Sequence, residues 1–181
     1  KVSYNIDSDT SLMLLGLTKG VHTMVDSLLA EKKLLQEHYG VSPTDYYFID
    51  GSGGGDTTAN SRVITQWLEI MAKEPIFKPF ANALPILAVD GSLDFVNQFK
   101  TDPTLAGAAG NVFAKPGTYV MGDELGLVIK GQAFAGYITS KNNHHLVYDI
   151  IVNNVPISSL ETLSEVFQDQ GTISALLWRD L

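Results

Sequence analysis

The sequence predicts an α+β fold in which an antiparallel sheet is flanked by helices, and three observations predict it. Apolar residues recur at helical spacing through much of the first 74 positions. Consecutive strand-like runs follow residue 110, and the last two dozen residues return to helical spacing. Helices, then a meander, then a closing helix is an α+β order. At 181 residues the chain is long enough for a substantial core. No linker, repeat or low-complexity segment divides it, so it reads as one compact body.

The elements follow in order. In DSDTSLMLLGLTKG (7–20), Asp7, Ser8 and Asp9 are candidate N-caps before an apolar run, and Gly20 is a stop. In VHTMVDSLLAEKKLLQEHYG (21–40), Val21, Met24, Val25, Leu28, Leu29, Leu34 and Leu35 lie near helical spacing, closed by Gly40. DYYFID (45–50) is a short aromatic strand, and GSGGGDTTANS (51–61) a polar glycine-rich loop. RVITQWLEIMAKE (62–74) reads as a helix stopped by Pro75, and the proline-punctuated PIFKPFANALPIL as short helical turns. Four strands are then predicted at 111–120, 125–131, 132–140 and 145–154. Hairpin turns are expected at MGDE, around Gly131 and at SKNNH. Residues 158–181 read as a helix with one internal glycine.

Composition excludes several classes. Twenty acidic against 12 basic residues give a net charge of −8, and no basic run stands out, which argues against a nucleic-acid partner. Cysteine is absent, which removes disulfides, thiol catalysis and zinc–cysteine sites. No apolar run reaches the length of a membrane span. The glycine-rich GSGGGDT lacks the Gly-Lys-Ser/Thr ending of a phosphate loop. In NNHH (142–145) the adjacent histidines face opposite sides of a strand, so a hairpin turn is expected there and no metal or cofactor.

GNVFAKPGTYV (110–120) raises the sharper question, because proline cannot donate to a strand ladder. If this strand pairs on one side only, its other edge is open. Amide N–H groups alternate sides, so those of positions 116 and 118 point the same way. Pro116 then costs no ladder bond, and the Thr118 N–H faces the open side. Gly117 permits close approach to the backbone, while Lys115 and Thr118 supply a cation and a hydroxyl. The arrangement suits an extended substrate ending in a carboxylate. These residues alone suit better an edge strand blunted against aggregation by lysine and proline.

Residues elsewhere bear on that choice. KVSYN gives Ser3-x-Asn5 just before the first helix, and AKPGT resembles a Lys-Thr-Gly-Thr box. Between them lie YFIDGSGGG, NSRVITQWLEIM and LPILAVDGSL, and after them FAGYITS and LVYDIIVNN. In this order the segments resemble the D-Ala-D-Ala carboxypeptidase/endopeptidase family, penicillin-binding proteins with a large insertion after the first motif. The resemblance covers residues 1 to about 155. It implies part of a β-lactamase/transpeptidase-like domain, with residues 1–181 as its C-terminal portion. The family's nucleophile lies in a Ser-x-x-Lys motif, and no lysine here has serine or threonine three positions before it. The expectation is therefore a chain cut between the insertion and the second motif, inactive by itself, from an exported periplasmic or cell-envelope parent.

For that parent the resemblance implies a serine-type peptidase acting through an acyl-enzyme on peptidoglycan peptides ending in D-Ala-D-Ala. β-Lactams would be its covalent inhibitors. Ser3 would relay a proton to the leaving amine, and the Asn5 amide would hold the substrate and the catalytic lysine. Lys115 would stabilise anionic groups, Gly117 would admit the substrate, and Thr118 would bind its terminal carboxylate and offer an N–H to the oxyanion. Pro116 departs from the family's usual threonine. Two other readings are a non-catalytic binding or scaffold relative, and a β-lactamase or esterase on the same fold. Removal of the upstream part is expected to leave one face or edge uncovered and open to association, and the first residues poorly held.

Overall fold

The computed structural model describes residues 1–123 and 126–181. The chain falls into two compact units: a helical unit of residues 3–70, and a sheet unit of residues 1–2 and 71–181.

In the helical unit, α1 (Asn5–Thr18) and α2 (Met24–Tyr39) pack together. Their close approach is made by Gly16 against Ser27: a Cβ at Gly16 would lie 2.0 Å from Ser27 Oγ. α1 begins before the expected caps, and Tyr4 occupies the N-cap position. The Tyr4 carbonyl already accepts from Ser8 N–H, and Asp9 is engaged elsewhere. Thr23 caps α2 by accepting from Asp26 N–H, and Gly40 ends it in the left-handed conformation. The aromatic strand β1 (Tyr46–Tyr47) pairs with β2 (Thr58–Ala59), so the glycine-rich loop is the tip of a small hairpin. α3 (Ser61–Met71) follows, ending three residues short of the expected boundary.

The sheet unit opens with the short α4 (Phe77–Ala83) and three 3-10 turns. β3 (Val112–Asp123) then pairs antiparallel with β4 (Gly126–Thr139), and β4 pairs with β5 (His145–Val152) and β6 (Val155–Ile157). The expected turn around Gly131 is absent, and residues 126–139 form one continuous strand. Gly131 marks a bulge instead: Tyr119 faces Gly131 while Val120 faces Ile129, leaving Lys130 as the extra residue. In the expected MGDE turn, Met121–Asp123 belong to β3, and Glu124 lies outside the described residues. SKNNH does form the β4–β5 turn, with Asn143 at φ 62°.

One face of the sheet, carrying Val112, Ala114, Phe134, Ile138 and Tyr148, packs on α5 (Leu160–Asp180) through Phe167, Ala175 and Trp178. Gly171 is the closing helix's internal glycine. A Cβ there would meet Val96 at 2.3 Å, so the glycine lets the helix seat closely. On the opposite face Phe77 and Phe80 of α4 make edge-on contacts with Tyr137. Lys1 is held rather than loose: its terminal amine donates to Ala83 O at 2.7 Å, and its side chain pairs with Asp90 at 2.7 Å.

Candidate functional site

β3 is an edge strand, with β4 as its only full-length neighbour among the described residues. Its outer side is met briefly by residues 85–87: Leu87 N–H donates to Val112 O, and Ala114 N–H to Pro85 O, both at 3.0 Å. The second bond fixes the phase of the strand. The Ala114 N–H points away from β4, so positions 116 and 118 point the same way. Beyond Ala114 no second strand pairs there among the described residues. Pro116 thus gives up no ladder bond to β4, as the period-two reasoning expected, and the Thr118 N–H faces the open edge.

Side chains alternate along the same segment. Val112, Ala114 and Pro116 are buried on the α5 side, with Pro116 opposite Phe134. Lys115 lies on the other face, half-buried, in a cross-strand row with Ala135 and Asp149. Its ammonium donates to Pro116 O at 2.6 Å, and burial holds its pKa below the ordinary lysine value. Gly117 is exposed, and a Cβ there would meet no atom within 4 Å. Nothing inside the sheet unit demands a glycine at this position. The exposed Thr118 donates its hydroxyl proton to Oε1 of Gln132, its partner on β4, at 2.5 Å.

Ser3 and Asn5 belong to the helical unit. Ser3 is exposed just ahead of α1, and Asn5 is the first residue of that helix. The Asp-Gly-Ser-Gly loop lies against the next turn of α1. Gly51 N–H donates to Asp9 Oδ1 at 2.9 Å, and a Cβ on Gly51 would fall 2.6 Å from Ser8 O. Asp50 Oδ1 gathers the N–H groups of Ser52, Gly53 and Gly54 at 3.0, 2.7 and 3.2 Å, which shapes the loop. The two DGS triplets are therefore structural turns, with Asp90 serving Ile86 N–H and Lys1 in the sheet unit. The structure thus gathers Lys115, Gly117 and Thr118 on one edge, and Ser3 and Asn5 at one helix start.

Gln132 was missed by sequence reasoning. Its signal was present: in QAFAGYI the glutamine shares the phase of Phe134 and Ile138, so a polar residue stands on the buried face.

Solved structures share this fold. Penicillin binding protein 4 of Haemophilus influenzae, crystallised with a β-lactam, matches with a TM-score of 0.78 at 22% identity, over 99% of this chain and 40% of that one. A second crystal structure of that protein gives 0.78 at 20% identity, over 99% and 38%. A predatory endopeptidase of Bdellovibrio bacteriovorus, in complex with an immunity protein, gives 0.70 at 17% identity, over 97% and 41%. At these identities the likeness establishes the fold. The chain spans about 40% of the length of these structures. No curated protein matches it in sequence. The family profile described as D-Ala-D-Ala carboxypeptidase 3 (S13) matches residues 5–169, and the chain belongs to that family.

Proposed function

We propose that this chain supplies the Ser-x-Asn and Lys-x-Gly-Thr parts of a serine D-Ala-D-Ala carboxypeptidase/endopeptidase. Its substrates are peptidoglycan peptides ending in D-Ala-D-Ala, and the parent protein is exported to the periplasm or cell envelope. The observation that carries this reading is the open edge of β3, where the Thr118 N–H faces outward beside an exposed Gly117 and a half-buried Lys115. An outward N–H on a rigid strand is a preorganised donor for a developing oxyanion. The lysine supplies positive charge where anionic groups gather. Pro116, the departure from the family pattern, is buried, so its ring packs within the sheet unit rather than projecting outward.

In this reading the attacking serine belongs to a Ser-x-x-Lys outside residues 1–181. It adds to the carbonyl between two D-alanines, Ser3 passes a proton to the departing amine, and Asn5 holds the substrate amide and the catalytic lysine. In this reading each of these groups serves the attack on one acyl carbon. β-Lactams acylate the same serine. Apolar surface left uncovered in the 181-residue chain provides a route to association.

The test is mass spectrometry after incubation with a labelled penicillin. The full-length protein should take up one equivalent on its Ser-x-x-Lys serine. Lys115→Ala should slow that acylation by roughly two orders of magnitude, as loss of one electrostatic stabiliser does elsewhere. Residues 1–181 alone should take up none. A stoichiometric adduct on any serine of this chain would overturn the reading.

A further inference from the structure

Behind Thr118 runs a buried polar thread that a simple edge strand does not need. Gln132 is fully buried on β4, with its Oε1 accepting from the Thr118 hydroxyl and its Nε2 without a partner among the described residues. The backbone beneath it is pinned from α5. Gln170, also buried, donates from Nε2 to Gln132 O at 3.0 Å and to Ile150 O at 3.2 Å. A buried amide that leaves one of its own atoms unpartnered carries a real cost. Packing gives no reason for it here, since an apolar side chain of similar size would fill the same space.

The chemistry of the hydroxyl supplies a reason. A threonine has one proton to donate. With that proton on Gln132 Oε1, Thr118 offers only lone pairs to an incoming group, and a carboxylate cannot use them. Turning the Gln132 amide by half a rotation reverses the relation: Nε2 then donates to Thr118 Oγ1, and the threonine proton is released towards the edge. The turn sacrifices no other hydrogen bond, because Nε2 has none in its present place. Either orientation leaves one amide atom unpartnered, so the two states are near balance, and a charge-assisted bond to a carboxylate can decide between them.

We propose that Gln132 is the positioning residue for Thr118, and that its amide turns when a substrate carboxylate binds so that Thr118 donates to that carboxylate. This rests on the reading of Thr118 as the carboxylate-binding residue. Gln132 itself touches no substrate and acts only through Thr118. Selectivity for a free C-terminal carboxylate over its ester or amide is thereby set partly from beneath the strand.

The experiment compares acylation of the full-length enzyme by a carboxylate-bearing β-lactam and by its methyl ester. Gln132→Met keeps the shape and removes the amide. It should slow acylation by the acid about ten-fold, the scale of one hydrogen bond to a charged group, and change the ester by less than about two-fold. Thr118→Val should slow the acid by at least as much, and the double variant should be no slower than Thr118→Val alone. Equal loss on acid and ester in Gln132→Met, or no loss on either, overturns the inference while leaving the role of Thr118 intact. Full acid acylation in Thr118→Val overturns the reading beneath it instead. Should Gln132→Met not fold, the wild-type enzyme still decides. The Gln132 side-chain amide NMR signals should shift on adding acetyl-D-Ala-D-Ala and stay in place with the corresponding C-terminal amide, and identical responses to both overturn the inference.

Discussion

The two units solve burial differently. In the sheet unit Leu87, Leu93, Val96, Val112, Ala114 and Phe134 are wholly shielded from solvent. In the helical unit the cluster of Val41, Tyr46 and Val63 is smaller, while Ile6, Leu14, Leu17, Val25 and Leu29 stand exposed, Leu29 by 60%. A cavity of about 230 Å³ lined by Glu31, Leu35, Tyr46, Phe48, Val63 and Trp67 also lies within the helical unit. The difference follows from geometry. Strands turn alternate residues to one face, and a single 21-residue helix covers that face. Three helices with a small two-stranded hairpin do not enclose all of their apolar stripes, and a small body has proportionally more surface. The sheet unit is thus built to hold an edge strand rigid, whereas the helical unit carries more apolar surface than it can cover.

Each unit contains one of the two tryptophans, Trp67 and Trp178, so single-tryptophan variants can follow the units separately in urea. The largest expected effect compares like with like. Leu87→Ala should cost about 4–5 kcal/mol on the Trp178 signal, because a wholly enclosed site collapses least. Leu12→Ala, 6% exposed in the helical unit, should cost nearer 2–3 kcal/mol on the Trp67 signal. Equal costs would break the comparison.

A second pair concerns glycines at close approaches. At Gly136 a Cβ would lie 1.9 Å from Phe113 O, a backbone atom held in the β3–β4 ladder. Gly136→Ala should therefore destabilise by about 3 kcal/mol, at the upper end for overpacking. At Gly16 the intruding Cβ meets Ser27 Oγ, which can rotate, although Ser27 Cβ at 2.9 Å limits the relief. Gly16→Ala also gains about 1 kcal/mol of helix propensity. Its net cost should be about 1–2 kcal/mol, and Ser27→Gly should recover most of it.

Much of this organisation was legible in the sequence. The apolar spacing locates α2 and α5, and the period-two rule shows why Pro116 is tolerated if its strand is open on one side. What stayed hidden depended on partners distant in sequence. Gly131 reads as a turn when only its neighbours are known, yet pairing with Tyr119 makes it a bulge. β2 and β6, of two and three residues, carry too little pattern to stand out from loops. Gln132 gained meaning only once Thr118 was seen opposite it. Ser-x-Asn was visible as a motif, but the start of α1 at Asn5 depends on the Tyr4 carbonyl rather than on a capping side chain.

A smaller effect sharpens the contrast at the surface. Val25→Lys with Leu29→Glu alters exposed positions of α2, so stability should stay within about 0.5 kcal/mol. Binding of a hydrophobic dye and self-association at high concentration should nevertheless fall, because contiguous apolar surface drives both. If dye binding is unchanged, the excess apolar surface of the helical unit lies elsewhere than on α2.

The smallest effect is a pH dependence confined to the helical unit. Burial raises the Glu31 carboxyl above its ordinary value. A group raised in the folded state contributes stability that is fully present below its unfolded pKa and lost as pH rises through the folded one. As far as Glu31 is concerned, the helical unit is thus most stable on the acid side, and weakens as pH climbs from about 4, the unfolded carboxyl value. Glu31→Gln should remove that slope. The variant should match or fall below the wild type near pH 4 and exceed it at pH 7, read as the urea midpoint on Trp67. The Trp178 midpoint should show no change in either condition, since Glu31 lies in the helical unit's own cavity. Tyr46 extends the same sign to alkaline pH, its phenol raised by burial first and by the Glu31 charge second. In Glu31→Gln the alkaline loss on Trp67 should therefore be smaller, because the folded phenol is raised less while its unfolded value is unchanged. In the sheet unit Tyr137, raised by burial to about 12, should give an alkaline loss on Trp178 that Glu31→Gln leaves untouched. A Glu31→Gln variant that moves both tryptophan signals together would mean that the units do not respond separately, and the comparison would fail at its most sensitive point.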